Sequence, residues 1–221
     1  MVHPLSYPRK GNIVFEQAVD SRLLLLAGKL FSTADIAERF YLAGGTALAL
    51  HLGHRQSDDL DLFSEKEFSI EKLCKIIEKL NGEILIAEQE TIHANVEGMK
   101  LSLLFYPYKL IKPLQKFAGI RIAGIEDIAS MKVVAISQRA DKKDFYDLYE
   151  ILKHFQPLEL KDMFLKKYGR QRINCYHILK SFFYFQDAED SPDPISLNGT
   201  TWDEVKSFFI NNERKLTKGL M

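Results

Sequence analysis

The stretch from Tyr41 to Phe63 constrains the chain more than any other. It runs Tyr-Leu-Ala-Gly-Gly-Thr-Ala-Leu-Ala-Leu-His-Leu-Gly, then His-Arg-Gln-Ser-Asp-Asp-Leu-Asp-Leu-Phe. This order predicts a strand, a glycine turn, a helix, a loop and a second strand. Side chains two apart on a strand share a face, so Asp59 and Asp61 project together while Leu60 projects the other way. Two acids on one face of an otherwise apolar strand are costly to bury unpaired. A divalent cation with oxygen ligands is one of the few partners that makes the arrangement sensible.

The upstream turn fits the same idea. Gly44 and Gly45 precede a run of helix formers that ends at Gly53. Free N–H groups and the positive end of a helix dipole favour an anion, and glycines let a phosphate approach the backbone. Thr46 adds a hydroxyl donor. The same residues also make an ordinary tight turn into a helix. Asp58 alternates to the opposite face and reads as solvated or capping.

The chain has 221 residues, with 46% hydrophobic and 27% charged, and Lys plus Arg equals Asp plus Glu at 30 each. That describes a soluble globular protein and leaves a nucleic acid partner to be judged from local clusters only. No apolar run approaches the ~18–20 residues of a membrane span, and no secretory signal is visible, so a cytoplasmic location is expected. Cys74 and Cys175 sit in helical patterns without metal-ligand spacing and read as buried free thiols. His51 and His54 lack the third ligand of a zinc site.

Taken in order, residues 1–12 read as an irregular arm and residues 12–30 as one or two helices. A short helix capped by Ser32 or Thr33 follows. Ser69 opens a helix stopped at Asn81-Gly82. Three strands are expected at Glu83 to Ala87, Thr91 to Val96 and Met99 to Tyr106, with Glu97-Gly98 as the hairpin turn and a strand end at Arg121-Ile122. From Gly124 the pattern is helical: Ile125 to Arg139, Lys143 to His154, then about 158–168, 174–186 and 201–215. The expected fold class is α+β, with an α/β half over 1–122 and a helical half over 123–221.

Several of these motifs occur in an order that resembles a known family. Gly44-Gly45-Thr46, then Arg55-x-Ser57-x-Asp59-Leu60-Asp61-Leu62-Phe63, is similar to the first motif of the AbiEii/AbiGii-type nucleotidyltransferase toxins, within the DNA polymerase β-like superfamily. Ile128 to Arg139, bearing Lys132, resembles the family's lysine helix. Lys143-Asp144-Phe-Tyr-Asp147 resembles its Asp-x-x-Asp helix, and Tyr184 to Glu189 with Trp202 resembles its C-terminal region.

The resemblance implies a minimal nucleotidyltransferase core (a mixed sheet with flanking helices) plus a helical C-terminal domain. It implies Mg²⁺ (or Mn²⁺)-dependent transfer of an NMP from an NTP, an activity of the EC 2.7.7 type. The implied acceptor is a nucleic acid, the tRNA 3′ end, and the implied setting is a toxin–antitoxin or phage-defence system with an antitoxin partner. Transferred by motif, Asp59 and Asp61 hold the metal. Gly44, Gly45, Thr46, Arg55, Ser57 and Lys132 bind the nucleotide. Asp59, Asp61, Lys132 and Asp144 are catalytic, Asp144 acting on the acceptor hydroxyl.

Other readings stand beside these. Lys132 also fits a solvated helix residue, and Asp144 with Asp147 a helix-terminal cap and dipole pair. Asp147 reads as structural, pairing with Arg139. Arg55 reaches either Asp59 or a phosphate. The wider superfamily often carries a third acid on a later core strand, where this chain offers Ser102. Either the site uses the two core acids plus Asp144, or the metal count is one. Lys161, Lys166, Lys167, Arg170 and Arg172, and separately Lys109, Lys112 and Lys116, fit either an RNA backbone or solvated faces. Transfer to a protein side chain, or NTP binding without turnover, are the alternative functions.

Overall fold

The structure is a computed structural model that describes residues 14–169 and 175–220. The N-terminal arm, Arg170 and Arg172 lie outside the described residues, as does the side chain of Cys175. Cys74 is a half-buried free thiol.

A mixed seven-stranded sheet forms the centre. Its strands are β1 (Phe40–Leu42), β2 (Asp59–Ser64), β3 (Gly82–Glu88), β4 (Thr91–Val96), β5 (Met99–Phe105), β6 (Gln115–Phe117) and β7 (Ile120–Ile122). The spatial order is β3-β4-β5-β2-β1-β7-β6. β2 pairs antiparallel with β1 and parallel with β5, so it lies near the middle. Leu60 and Leu62 are almost wholly buried, which fixes the register: a one-residue slip would bury the acids instead. The Glu97-Gly98 turn has positive φ at both residues (53° and 84°), the geometry that joins twisted antiparallel strands. β6 had no sequence signal; its three residues are defined by pairing with β7.

The helices of the first half are α1 (Ser21–Phe31), α2 (Ala34–Ala37), α3 (Gly44–Leu52) and α4 (Ile70–Lys79), preceded by a 3-10 turn at Glu16–Ala18. Asp20 caps α1 by accepting the Arg22 N–H, and Ser69 caps α4 through the Lys72 N–H. α3 starts two residues earlier than the expected Thr46, so both glycines lie in its first turn. Gly53 ends it in the left-handed region at φ 61°.

After β7 the described chain is helical: α5 (Ile125–Gln138), α6 (Lys142–His154), α7 (Pro157–Tyr168), α8 (Cys175–Ser181), α9 (Gln186–Glu189), α10 (Trp202–Asn211) and α11 (Glu213–Leu220). The segments expected at 174–186 and 201–215 each divide in two. α5 packs on both α3 and α6, and one hydrophobic core runs through both halves. Phe145 anchors an aromatic group with Phe185, Trp202 and Phe209 that fastens α6 to the C-terminal helices. No described helix is long and apolar enough to cross a membrane.

Candidate active site

Glycine chemistry explains how the first motif closes. Gly44 has φ +70°, and a Cβ there would lie 2.9 Å from Asp61 Oδ2. A Cβ on Gly45 would lie 2.5 Å from Arg55 Nη2 and 3.3 Å from Ser57 Oγ. The space left by the two glycines is thus filled by the side chains of the site itself. Close approach of phosphate was the expected reason for these glycines; close approach of Asp61 and Arg55 is the one observed. No side chain caps α3, so its first-turn N–H groups have no side-chain partner at that end.

Thr46 and Ser57 part company: Ser57 lines the cavity and Thr46 does not. Thr46 is 1% exposed; its hydroxyl donates to the Asp59 carbonyl and lies 2.9 Å from Ser57 Oγ. With its hydrogen bonds spent in the wall, the Thr46 hydroxyl braces β2 and does not face the cavity. Ser57 lines the cavity and is held in line by its N–H bond to the Ala18 carbonyl.

A polar cavity of about 210 Å³ gathers the motifs. Gly45, Arg55, Ser57, Asp59 and Asp61 line it from the first half, Ser102 and Lys100 from β5, and Lys132, Arg139 and Lys143 from the helical half. Asp58, expected to point away, reaches its mouth. Burial pushes the Asp61 carboxyl above the ordinary range, and the Asp59 charge adds to this; a Ser102 hydrogen bond and the charges of Lys132 and Arg139 oppose it. The Lys143 ammonium donates to Asp59 Oδ2 at 3.3 Å. Ser102 stands opposite Asp61 in the register, and His93 Nδ1 on β4 lies 3.1 Å from its Oγ.

Beneath this cavity lies a second pair of acids. Asp144 and Asp147, three apart on α6, share a face and are both fully buried. Asp147 accepts from Arg55 Nε at 2.6 Å, Arg55 Nη2 at 2.8 Å and His54 Nε2 at 2.7 Å, with Lys132 Nζ at 2.5 Å. Asp144 accepts from Lys132 Nζ and Arg139 Nε, both at 2.8 Å, and from Arg139 Nη2 at 3.0 Å. Burial alone would raise both carboxyls. Lys132 and Arg139 outweigh it at Asp144, and Arg55, Lys132 and His54 do so at Asp147, which sits well below the usual range.

Three expectations change here. Arg139 pairs with Asp144, not Asp147, because Lys132 and Arg139 lie two turns apart on one face of α5 and straddle Asp144. Arg55 reaches Asp147, not Asp59. Asp144 does not line the cavity: both its oxygens are engaged by Lys132 and Arg139. Gly45, Asp59, Asp61 and Lys132 do meet in one cavity, with Asp144 one layer below. Lys100, Lys143 and Arg139 were missed as cavity residues. The register opposite Asp59 signals Lys100, and the seven-residue spacing from Lys132 signals Arg139.

The expected basic surface is also altered. Lys167 is wholly buried, its ammonium 2.7 Å from Asp127 Oδ1, and Asp127 also accepts the Ile111 and Lys112 N–H groups. Lys167 therefore fastens the 109–112 loop to α7 and is not free for RNA.

Asp59 and Asp61 present hard oxygen donors on one face of β2 toward the cavity, a donor set that fits a divalent cation. No group of three or more His, Cys, Asp or Glu is arranged for metal among the described residues. Two carboxylates with remaining positions left to water and substrate phosphate is the usual way Mg²⁺ is held.

Comparison with known proteins shows the family and the fold. The family model described as "Nucleotidyl transferase AbiEii toxin, Type IV TA system" matches residues 24–116 and 104–199. The chain is 43% identical over 182 residues to the uncharacterized protein aq_aa25 of Aquifex aeolicus (strain VF5), covering 79% of this chain and 86% of the relative. The fold is similar to the crystal structure of JHP933 from Helicobacter pylori, with TM-score 0.53, 22% identity and coverage of 92% and 94% of the two chains. It is also similar to the antibiotic-resistance factor ANT(2″)-Ia, with TM-score 0.51, 16% identity and coverage of 66% and 90%. The chain belongs to the AbiEii nucleotidyltransferase toxin family and is a transferase of the nucleotidyltransferase type.

Proposed function

We propose that this protein transfers a nucleoside monophosphate from an NTP to an RNA acceptor, the 3′ end of tRNA, with Mg²⁺ or Mn²⁺ at Asp59 and Asp61, as the toxin of a toxin–antitoxin or phage-defence pair. The observation that carries the reaction is the single cavity in which Asp59 and Asp61 meet the α3 N-terminus and the cations Lys132 and Arg139. The bound cation supplies Lewis-acid polarisation of the attacked phosphate and offsets charge on the leaving pyrophosphate.

The chain's own residues divide the remaining work. The α3 N–H groups with Gly44 and Gly45, and the side chains of Arg55, Ser57, Lys132 and Arg139, surround the phosphate chain. Thr46 braces the carbonyl of Asp59, so it supports the nucleotide site from behind. Asp144 and Asp147 hold Lys132, Arg139 and Arg55 in place; Asp144 is a positioning residue in this reading. With Asp141 also 3.5 Å from Arg139 Nε, these cations are balanced by nearby carboxylates, and they offer a phosphate chain charged hydrogen-bond donors. The acceptor hydroxyl oxygen bonds to the α-phosphorus, the bond to the bridging oxygen of the β-phosphate breaks, pyrophosphate leaves, and the hydroxyl proton passes to solvent. An adjoining cavity of about 580 Å³ opens beside Asp59 and Lys143 and admits the end of the acceptor.

Incubation with α-³²P-labelled NTPs, total RNA and cell protein tests this. Label is expected on RNA in the tRNA size range and absent with Asp59→Ala. Label on protein only would overturn the acceptor, and tight NTP binding without any transfer would overturn the reaction.

A further inference from the structure

Five cationic side chains line the polar cavity, and they fall into two sets. Arg55, Lys132 and Arg139 are locked on Asp144 and Asp147 by bonds of 2.5–3.0 Å. Lys143 is held by one contact of 3.3 Å, to Asp59 Oδ2, with its side chain 38% exposed. Lys100 is exposed and, among the described residues, has no carboxylate partner. A long, half-solvated ion pair is weak and exchanges readily.

The partner of Lys143 is the carboxylate that a cation would use. Lys143, like Lys100 and Arg55, lines both cavities, the polar one and its larger neighbour, and of these cations it alone contacts Asp59. A phosphate chain lying in the first cavity and meeting an acceptor in the second has to pass these shared residues.

We propose that Lys143 is a phosphate-binding residue of the nucleotide site, held in reserve on Asp59 and exchanged there for the divalent cation. Its ammonium and the cation compete for Asp59 Oδ2, and once released it donates to the phosphate chain at the junction of the two cavities. The flexible stem of lysine suits this transfer, whereas Arg55, buried on two bonds to Asp147, has no such freedom. The inference rests on the nucleotide-site reading above.

Lys143→Ala separates it from a structural role, because the two halves of the exchange predict opposite signs. Removing the competitor should tighten Mn²⁺ binding to the protein alone, read by electron paramagnetic resonance of free Mn²⁺. Removing a phosphate ligand should weaken binding of inorganic tripolyphosphate in the presence of saturating Mn²⁺ by about tenfold, the loss expected for one charge-assisted hydrogen bond. Lys143→Arg should restore tripolyphosphate binding. Lys100→Ala serves as the control for loss of a nearby positive charge; its Mn²⁺ gain should be smaller than that of Lys143→Ala. Equal gains in the two variants, or tripolyphosphate binding unchanged in Lys143→Ala, would overturn the exchange while leaving the nucleotide site standing. If the wild-type protein binds neither Mn²⁺ nor tripolyphosphate, the nucleotide-site reading fails and this inference with it. Retained thermal midpoints confirm that each variant folds.

Discussion

Two pairs of acids lie one above the other in this protein, and they behave in opposite ways. Asp59 and Asp61 on β2 face a cavity, and burial raises the Asp61 carboxyl above its ordinary range. Asp144 and Asp147 on α6 are buried more deeply yet are held below that range. Burial has the same sign in both places. What differs is saturation: the lower pair is met by Lys132, Arg139, Arg55 and His54, while the upper pair has one long contact from Lys143 to Asp59 and a Ser102 hydrogen bond to Asp61. The lower pair is finished structure and the upper pair is unfinished, which is how a ligand site differs from a scaffold.

The largest effect should come from breaking the lower pair. Asp147→Ala leaves Arg55, Lys132 and His54 buried without their shared partner. The expected loss is about 3–5 kcal/mol of stability, read from urea unfolding; a loss below 1 kcal/mol would show that the two pairs are not different in kind. Breaking the upper pair should instead spare the fold. Asp59→Ala should lower nucleotide transfer by about 10²–10³-fold with an unchanged thermal midpoint.

Smaller changes sharpen the boundary between the two. Gly45→Ala pushes a methyl onto Arg55, whose guanidinium is pinned by Asp147 and cannot swing away. An overpacking loss of about 1–3 kcal/mol is expected in denaturant midpoints, and Arg55→Lys in the same background should recover part of it. Asp61→Asn removes a poorly compensated charge. It should stabilise the protein at neutral pH by about 0.5–2 kcal/mol while abolishing Mn²⁺ binding, a trade of function against stability.

The pH profile carries the same contrast with its signs reversed. Asp144 and Asp147 have depressed folded values, so their stabilisation is complete above the unfolded carboxylate value of about 3.9 and is lost as pH falls through the folded values. Asp61 has a raised folded value. Above about pH 3.9 the native state therefore holds more protons at this site than the unfolded state, and stability declines as pH rises to that folded value. In Asp61→Asn the decline above about pH 4 should disappear while the loss at lower pH remains, as measured by urea midpoints across pH.

Much of this site was legible in the chain itself. The period-2 placement of Asp59 and Asp61 and the Gly53 stop follow from local backbone rules, and the structure places them as read, whereas Gly44 and Gly45 fall inside the first turn of α3. β4, β5 and the Glu97-Gly98 hairpin were legible for the same reason: alternation and a positive-φ turn are local signals. β6 was not, since three residues form a strand only through the partner they find. The partners of charged residues were not legible either. Arg55 and Asp147 are 92 positions apart, and nothing between them says which acid an arginine will meet. Lys167 looked like part of a basic surface until Asp127 took it inside.

The sequence by itself therefore determined that Asp59 and Asp61 share one face of β2 and that Asp144 and Asp147 share one face of α6, because strand and helix periodicity act within a few residues. Only the tertiary structure decided which acids are spent and which are left with charge to be met. It did so by packing α5 against α3 and α6, which brings Lys132 and Arg139 over Asp144 and Asp147. Saturation of a carboxylate depends on distances between elements, and those distances are set by the packed core.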